Sequence, residues 1–406
     1  MLDALFDAEH LLQFSKVFRP ISGLQSKLTD SSIRYVTTVF CYGCNLRATQ
    51  AARSLPGTSR RDFEWINQHH ITETALQEAS ALVVNAYHQF QLPKLWGSGE
   101  HASADGTKWE MFENNLMSEY HIRYGGYGGL GYYHVSDKYI ALFSHFIPCG
   151  VWEAVYILDG MLQNTSDIQP DKLHADTQGQ SAPVFGMAYL LGIELLPRIR
   201  NWQDLQFFRA QKTDTFENIG GLFKGNIDWE LIETYLPDLL RIVVSIKLGR
   251  ISAATVLKRL SRFNRKNKVY QAMRELGLAV RTIFLLRYIS DPQLRVGIFR
   301  ETNKSEQFNN FVQWSFFGGE GMVQTHHRDM QRKLIKYNLL VANCLVFHTV
   351  YLLTRQIREL EARGQEVPEE VLKHLNPYWM GHLNRFGRYD WEVGRIPDPL
   401  IFNYKG

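Results

Sequence analysis

Forty-one acidic side chains are spread along this 406-residue chain, and three stand where a carboxylate can do chemistry rather than solvate a surface. Asp105, in ASADGTKW, is flanked by small residues at what the sequence marks as a strand end. Asp176, in KLHADTQG, closes a short apolar strand just before a glycine, and Glu306 lies in ETNKSEQFNNF. Carboxylates brought from separate elements to one point suit two-metal phosphoryl transfer. Hard oxygen ligands hold two divalent ions about 3.5–4 Å apart, which clamp the attacking and leaving oxygens. Each residue also has an ordinary reading. The two aspartates are acceptable turn residues, and Glu306 falls at the third position of a helix that Asn303 would cap, a capping box. Residue type alone leaves both readings open.

Other motifs carry less. Cys41-Tyr-Gly-Cys44 has the spacing of half a zinc site, but no second pair stands at a suitable distance, so structural cysteines are expected. His69-His70 and His326-His327 are adjacent pairs, and neighbours on a helix or strand do not point at one metal. Gly126, Gly128 and Gly131 spell GxGxxG, yet they run into an aromatic strand instead of opening a helix, which is the context a dinucleotide site requires. Asp159, in ILDGML, is expected to be structural.

The elements that must position these groups follow from composition and pattern. Hydrophobic residues make up 45% and charged residues 21%, a globular balance that excludes wholesale disorder. The length exceeds what one ordinary core fills, so at least two packed units are expected. The longest apolar stretch, Leu339 to Thr354, is interrupted by Asn343 and His348 and is shorter than the about 20 residues of a spanning helix. It is expected to be a buried helix, with no membrane as partner. Few cysteines and an acidic start, MLDALFDAEH, point to a reducing cytoplasm. The net charge of +4 conceals a segregation: Arg241 to Arg300 holds fourteen Lys or Arg against Glu275 and Asp291, which is +12 and leaves −8 elsewhere. Such a basic segment suits a polyanion, nucleic acid first, and has no role in a two-carboxylate glycosidase.

Along the chain, residues 1–95 pattern as a helical segment, with Ile71, Ala75, Leu82 and Val83 on one face. Residues 96–201 alternate strands and helices. They include strands near Gly131 to Val135 and Tyr139 to Ile147 around a Ser136-Asp137-Lys138 turn, a helix over VWEAVYILDGMLQN, strands KLHAD and IELLPRI, and a helix starting near Ser181 with Pro183 in its first turn. This predicts an α/β fold, a mixed sheet with helices packed on it. Residues 202–300 read as a basic helical insertion, 301–363 as a helix pair from Asn303 to Trp314 and from Asp329 to Ala362, and 364–406 as a Pro-bearing tail.

ASADGTKW, HADTQGQS and TNKSEQFN, separated by 71 and 130 residues, resemble in type and order the catalytic part of the Tn-three family of bacterial replicative transposases. The likeness extends through RYGGYGGLGYYHVSDKY, HFIPCGVWEAVYILDGML, AYLLGIELLPRIRN, WSFFGGEG and KYNLLVANCLVFH, from about Tyr35 onward. It implies an RNase H-like fold in which Asp105, Asp176 and Glu306 are catalytic and bind two magnesium ions, with manganese as a substitute. The basic segment would be the helical insertion between the second Asp and the Glu. The implied reaction is water attack at transposon ends, which frees 3′ hydroxyls, followed by attack of those hydroxyls on target DNA. The implied partners are double-stranded DNA at the ends and target and further copies of the chain on DNA, with no nucleotide cofactor, in the bacterial cytoplasm at the nucleoid. Lys304, beside Glu306, and Arg259, Arg262, Arg265, Lys266 and Lys268 in the basic segment are the candidate phosphate contacts. Family members are much longer, with an N-terminal region that recognises the terminal repeats, and this chain is expected to lack it. The alternative is a truncated, non-catalytic DNA-binding remnant that binds or inhibits a full-length transposase.

Overall fold

The structure is a computed structural model that describes all residues except 25–27, 56, 116–117, 121–124, 150–152, 202–205, 262–265, 387–388, 390–393 and 406. Five helices come first: α1 (Leu2–Leu12), α2 (Ser31–Gly43), α3 (Arg47–Ser54), α4 (Arg60–His69) and α5 (Glu73–Gln89). Ser59 and Asp62 close a reciprocal capping box on α4, and the Thr72 hydroxyl accepts from the Ala75 amide to start α5. The sheet follows, with β1 (His101–Glu110), β2 (Glu119–Tyr120), β3 (Tyr127–Ser136) and β4 (Ala141–Pro148), then short α6 (Asp159–Gln163), β5 (Lys172–Ala175), α7 (Ala182–Leu191) and β6 (Glu194–Pro197).

β1 lies at the centre. It pairs antiparallel with β3 on one side and parallel with β5 on the other; β4 and β2 pair with β3, and β5 pairs parallel with β6. The mixed sheet is therefore as expected, and the strands around the Ser136-Asp137-Lys138 turn fall where their alternation placed them. The VWEAVYILDGMLQN stretch differs: a 3₁₀ turn, Glu153–Tyr156, precedes the five residues of α6, while Val151 and Trp152 lie outside the described residues. The GxGxxG string runs into a strand, with Gly126 in the bend that leads into it at φ 97°. Gly128 and Gly131 are inside β3, where a Cβ on Gly131 would collide with the Trp109 indole.

Beyond the sheet come a two-stranded parallel pair, β7 (Phe207–Arg209) and β8 (Phe223–Asn226), and four helices, α8 (Trp229–Lys247), α9 (Ala253–Ser261), α10 (Lys268–Ser290) and α11 (Pro292–Ser315). The α10 and α7 axes approach closely because both helices carry glycine at the crossing. A Cβ on Gly277 would run into the Ala182 carbonyl, and one on Gly186 into the Met273 carbonyl. Helix α11 corrects the expectation for Asn303. Asp291 caps the helix through the Gln293 and Leu294 amides, with Pro292 at its first position, so Asn303 and Glu306 lie well inside it.

The long helix α12 (Arg328–Ala362) and short α13 (Glu369–Lys373) complete the chain. By length and composition α12 alone among the described helices passes as a membrane span, but 89% of its apolar window is buried inside the protein. The two polar residues that interrupt its apolar run have assigned partners. The Asn343 side-chain amide donates to the Ala141 carbonyl (2.8 Å) and the Ser80 hydroxyl (3.0 Å), which covers the free edge of β4, and His348 meets buried Asp7 of α1 at 3.0 Å. Burial is continuous: one apolar cluster runs from Met1 to Tyr404 and takes in residues of α8, α9 and α10, with a small satellite between α7, α8 and α10. The N-terminal helices, the sheet and helices α8 to α12 all contribute to this cluster.

Candidate active site

Asp105 sits in the middle of β1, not at its end, opposite Tyr133 of β3. The β1–β5 ladder ends on the pair Ala104 and Ala175, so Asp105 and Asp176 are the next residues along two adjacent parallel strands. Neighbouring strands lie about 4.8 Å apart, which sets the two residues side by side. Past Asp176 the chain makes a 3₁₀ turn, Thr177–Gln180, in which the Gly179 amide donates to the Asp176 carbonyl at 3.0 Å. Two arginine residues brace that turn. Gln180 bonds the Arg198 carbonyl at 2.9 Å, and the Arg281 guanidinium of α10 donates to the Gln180 carbonyl at 3.2 Å. Burial holds the Arg281 guanidinium below its ordinary pKa. A helix of the basic segment thereby supports the loop that carries Asp176.

α11 crosses this part of the sheet, packing on β1, β3 and β5. Buried Asn309 donates from its side-chain amide to Asp105 Oδ2 at 2.9 Å, which fixes both the helix and that carboxylate. Glu306 is three residues earlier, one turn along the same helix face. Its side chain is 57% exposed and pairs with Arg198 Nη1 at 3.3 Å. Arg198 follows β6, donates its amide to the Ala175 carbonyl at 2.8 Å and lies over the Phe299 ring at 4.6 Å. Among the described residues no three of His, Cys, Asp and Glu are grouped closely enough to hold a metal ion. The structure thus brings Asp105 and Asp176 together and carries Glu306 on the neighbouring helix turn, with its carboxylate engaged by Arg198. A partly exposed ion pair of this kind is worth only about 0–1 kcal/mol, so it is a weak restraint on the Glu306 carboxylate. The donor set, all carboxylate oxygen, fits magnesium or manganese and would not select a soft metal.

Lys304 is a correction. The sequence placed it at a phosphate, but only 4% of it is exposed, and its ammonium donates to the Trp96 carbonyl (3.1 Å), the Asp137 carbonyl (2.6 Å) and Glu301 (3.2 Å). It anchors α11 to the loops that flank β1. Burial lowers its pKa, and Glu301 opposes that shift. Arg259, Lys266 and Lys268 are exposed, as a phosphate contact requires; Arg262 and Arg265 lie outside the described residues. All four cysteines are buried free thiols. Asp159 is buried and accepts from the Ala254 amide at 3.2 Å, so it caps α9 from the core; burial raises its carboxyl to about 6, against the pull of the Ala254 and Ala253 amides. Asn309, Arg198 and Arg281 were missed from sequence. Asn309 had one usable signal, its three-residue spacing from Glu306; the other two are brought to the site by tertiary packing alone.

The chain belongs to the family described as the Tn3 transposase DDE domain, whose model matches residues 3–389. It is 29% identical over 400 residues to the transposase for transposon Tn1546 of Enterococcus faecium, covering 98% of this chain and 40% of that one. It is 30% identical over 397 residues to the transposase for transposon Tn501 of Pseudomonas aeruginosa, covering 97% and 40%. The chain spans about two fifths of the length of these relatives.

Proposed function

We propose that this chain is the catalytic portion of a replicative DNA transposase, which cleaves DNA at transposon ends and joins the freed 3′ hydroxyls to target DNA. The observation that carries the reading is the register of β1 and β5, which sets Asp105 beside Asp176, with α11 bonded to Asp105 through Asn309 and bearing Glu306 one turn away. A sheet that is antiparallel on one side of β1 and parallel on the other, with helices on its faces, supports an RNase H-like fold.

In this reading Asp105, Asp176 and Glu306 hold two magnesium ions, which manganese can replace. When bound, the ions supply charge neutralisation at the transferred phosphoryl group and a more acidic water. The chain's own part is positioning. Asn309 fixes the Asp105 carboxylate, the braced 3₁₀ turn fixes the backbone at Asp176, and Glu306, now paired with Arg198, would be the third ligand. The exposed basic side chains Arg259, Lys266 and Lys268 are proposed to run along the DNA backbone, with Arg262 and Arg265 in the same basic segment. Assembly on paired ends as a homo-oligomer and a place in the bacterial cytoplasm at the nucleoid belong to the same proposal.

The test is nicking and joining of a supercoiled plasmid that carries transposon ends, in magnesium or manganese. Wild type is expected to cut, and Glu306→Ala, Asp105→Ala and Asp176→Ala to bind the DNA without cutting it. Equal shifts of DNA by all four proteins with no strand breakage by any would favour a DNA-binding remnant.

A further inference from the structure

Helix α8 has two apolar faces and only one of them is used. Ile232, Leu239, Val243 and Ile246 are buried, where the helix packs on α7 and α10. On the outer side Leu236, Leu240, Val244 and Leu248 are spaced four residues apart and are 38%, 48%, 55% and 67% exposed. Trp229, 42% exposed, extends the stripe toward the helix start. Large side chains in a continuous row on a helix face mark an interaction site rather than scattered surface residues.

The charges around the stripe say what covers it. Its N-terminal half carries Glu230 and Glu233 and its C-terminal half Lys247, with Arg250 just past the helix end; all four are exposed, and none of them makes an ion pair among the described residues. At about 100° per residue, Glu233 and Lys247, seven residues either side of Leu240, lie within about 20° of its direction. Leu236 and Val244, four residues either side, lie within about 40°. A second α8 laid antiparallel, with its two-fold axis at Leu240, therefore sets Glu233 against Lys247, Leu236 against Val244 and Leu240 against itself. It also brings Glu230 toward Arg250. Parallel pairing would instead oppose acid to acid and base to base.

We propose that this face is an isologous interface that takes α8 of a second copy of the chain, centred on Leu240, outside the metal site and independent of its chemistry. Such symmetry is that of a two-fold dimer, in which the same patch serves both copies. One helix pair of this length buries on the order of 1,000 Å², at the low end of specific interfaces, where weak, transient association is the rule.

Sedimentation equilibrium of the 406-residue protein between about 1 and 200 µM, without DNA, tests this at a range where weak dimers are seen. The expected result is a monomer–dimer equilibrium. Glu233→Lys and Lys247→Glu should each weaken it about fivefold to tenfold, the order expected when two rim ion pairs turn repulsive. The double variant should return within about twofold of wild type, and Leu240→Asp should abolish the dimer. Because the native cysteines are buried, disulfide trapping gives an independent readout. Leu240→Cys should cross-link to itself, Glu233→Cys should not, and Glu233→Cys mixed with Lys247→Cys should. A monomer at every concentration would overturn the proposal, whether the face is bare or covered by another segment or protein. So would a dimer indifferent to Leu240→Asp, which uses another surface.

Discussion

Replacing Lys304 with alanine separates two accounts of this residue. Its ammonium has three partners and is 4% exposed, and Glu301, also buried at 5%, would lose the buried one of its two cations. Breaking a buried ion pair from one side costs about 3–5 kcal/mol, because the remaining charge is left uncompensated. Here Arg300 still reaches Glu301 at 3.1 Å from a largely exposed position, which places the expected cost near the lower figure, about 3 kcal/mol. Unfolding entropy grows with chain length, so for a protein of this size that cost lowers Tm by roughly 3–5 °C. The double variant Lys304→Met/Glu301→Gln, which removes both charges, should recover most of the loss. The assay is paired thermal and urea melts of the wild type and variants, with DNA affinity measured against salt concentration. Lys304→Ala should leave the salt dependence of DNA binding as it was. If stability is unchanged and the salt slope falls by about one phosphate contact, the ammonium faces DNA and the buried-anchor account is refuted.

Three further outcomes follow from the geometry. Arg198→Ala frees Glu306 of its only ion pair among the described residues, so manganese titrated into the protein should bind several-fold more tightly than to wild type; unchanged affinity would mean that Arg198 does not compete for the carboxylate. Asp159 has a folded pKa of about 6, above its ordinary value of 3.8. The folded state therefore binds this proton more tightly, and the stability so gained is lost as pH rises from about 4 through 6, up to about 3 kcal/mol. Asp159→Asn should flatten that part of the stability profile, and an unchanged slope in urea melts from pH 4 to 7 would remove Asp159 as its source. Gly277→Ala drives a methyl group into the Ala182 carbonyl and should destabilise by about 1–3 kcal/mol despite alanine's better helix propensity, as read from the urea midpoint.

What the sequence made legible was whatever local pattern controls. The alternation around the Ser136-Asp137-Lys138 turn gave β3 and β4, the short apolar runs before Asp176 and Pro197 gave β5 and β6, and the charge count isolated the segment that holds the end of α8 with all of α9 and α10. The mid-strand place of Asp105 was hidden because ASADG is full of small and turn-prone residues, and only pairing with β3 and β5 keeps it extended. Glu306 was assigned to a helix start because Asn303 is a good cap. The stronger signal, Asp291-Pro292, lay twelve residues earlier, and the helix simply runs through Asn303. Arg198 and Lys304 could not be placed from sequence, since a half-buried arginine and a buried lysine look alike until packing determines which carbonyls and carboxylates surround them.

The central claim is that Asp105, Asp176 and Glu306 form one metal site, and manganese binding in the presence of duplex DNA tests it most directly. Titration followed by electron paramagnetic resonance should show tight manganese in wild type, loss of at least most of it in Asp105→Asn/Asp176→Asn, and weakened binding in Glu306→Gln, all three proteins melting alike. Identical manganese stoichiometry and affinity in wild type and the double aspartate variant would contradict the account.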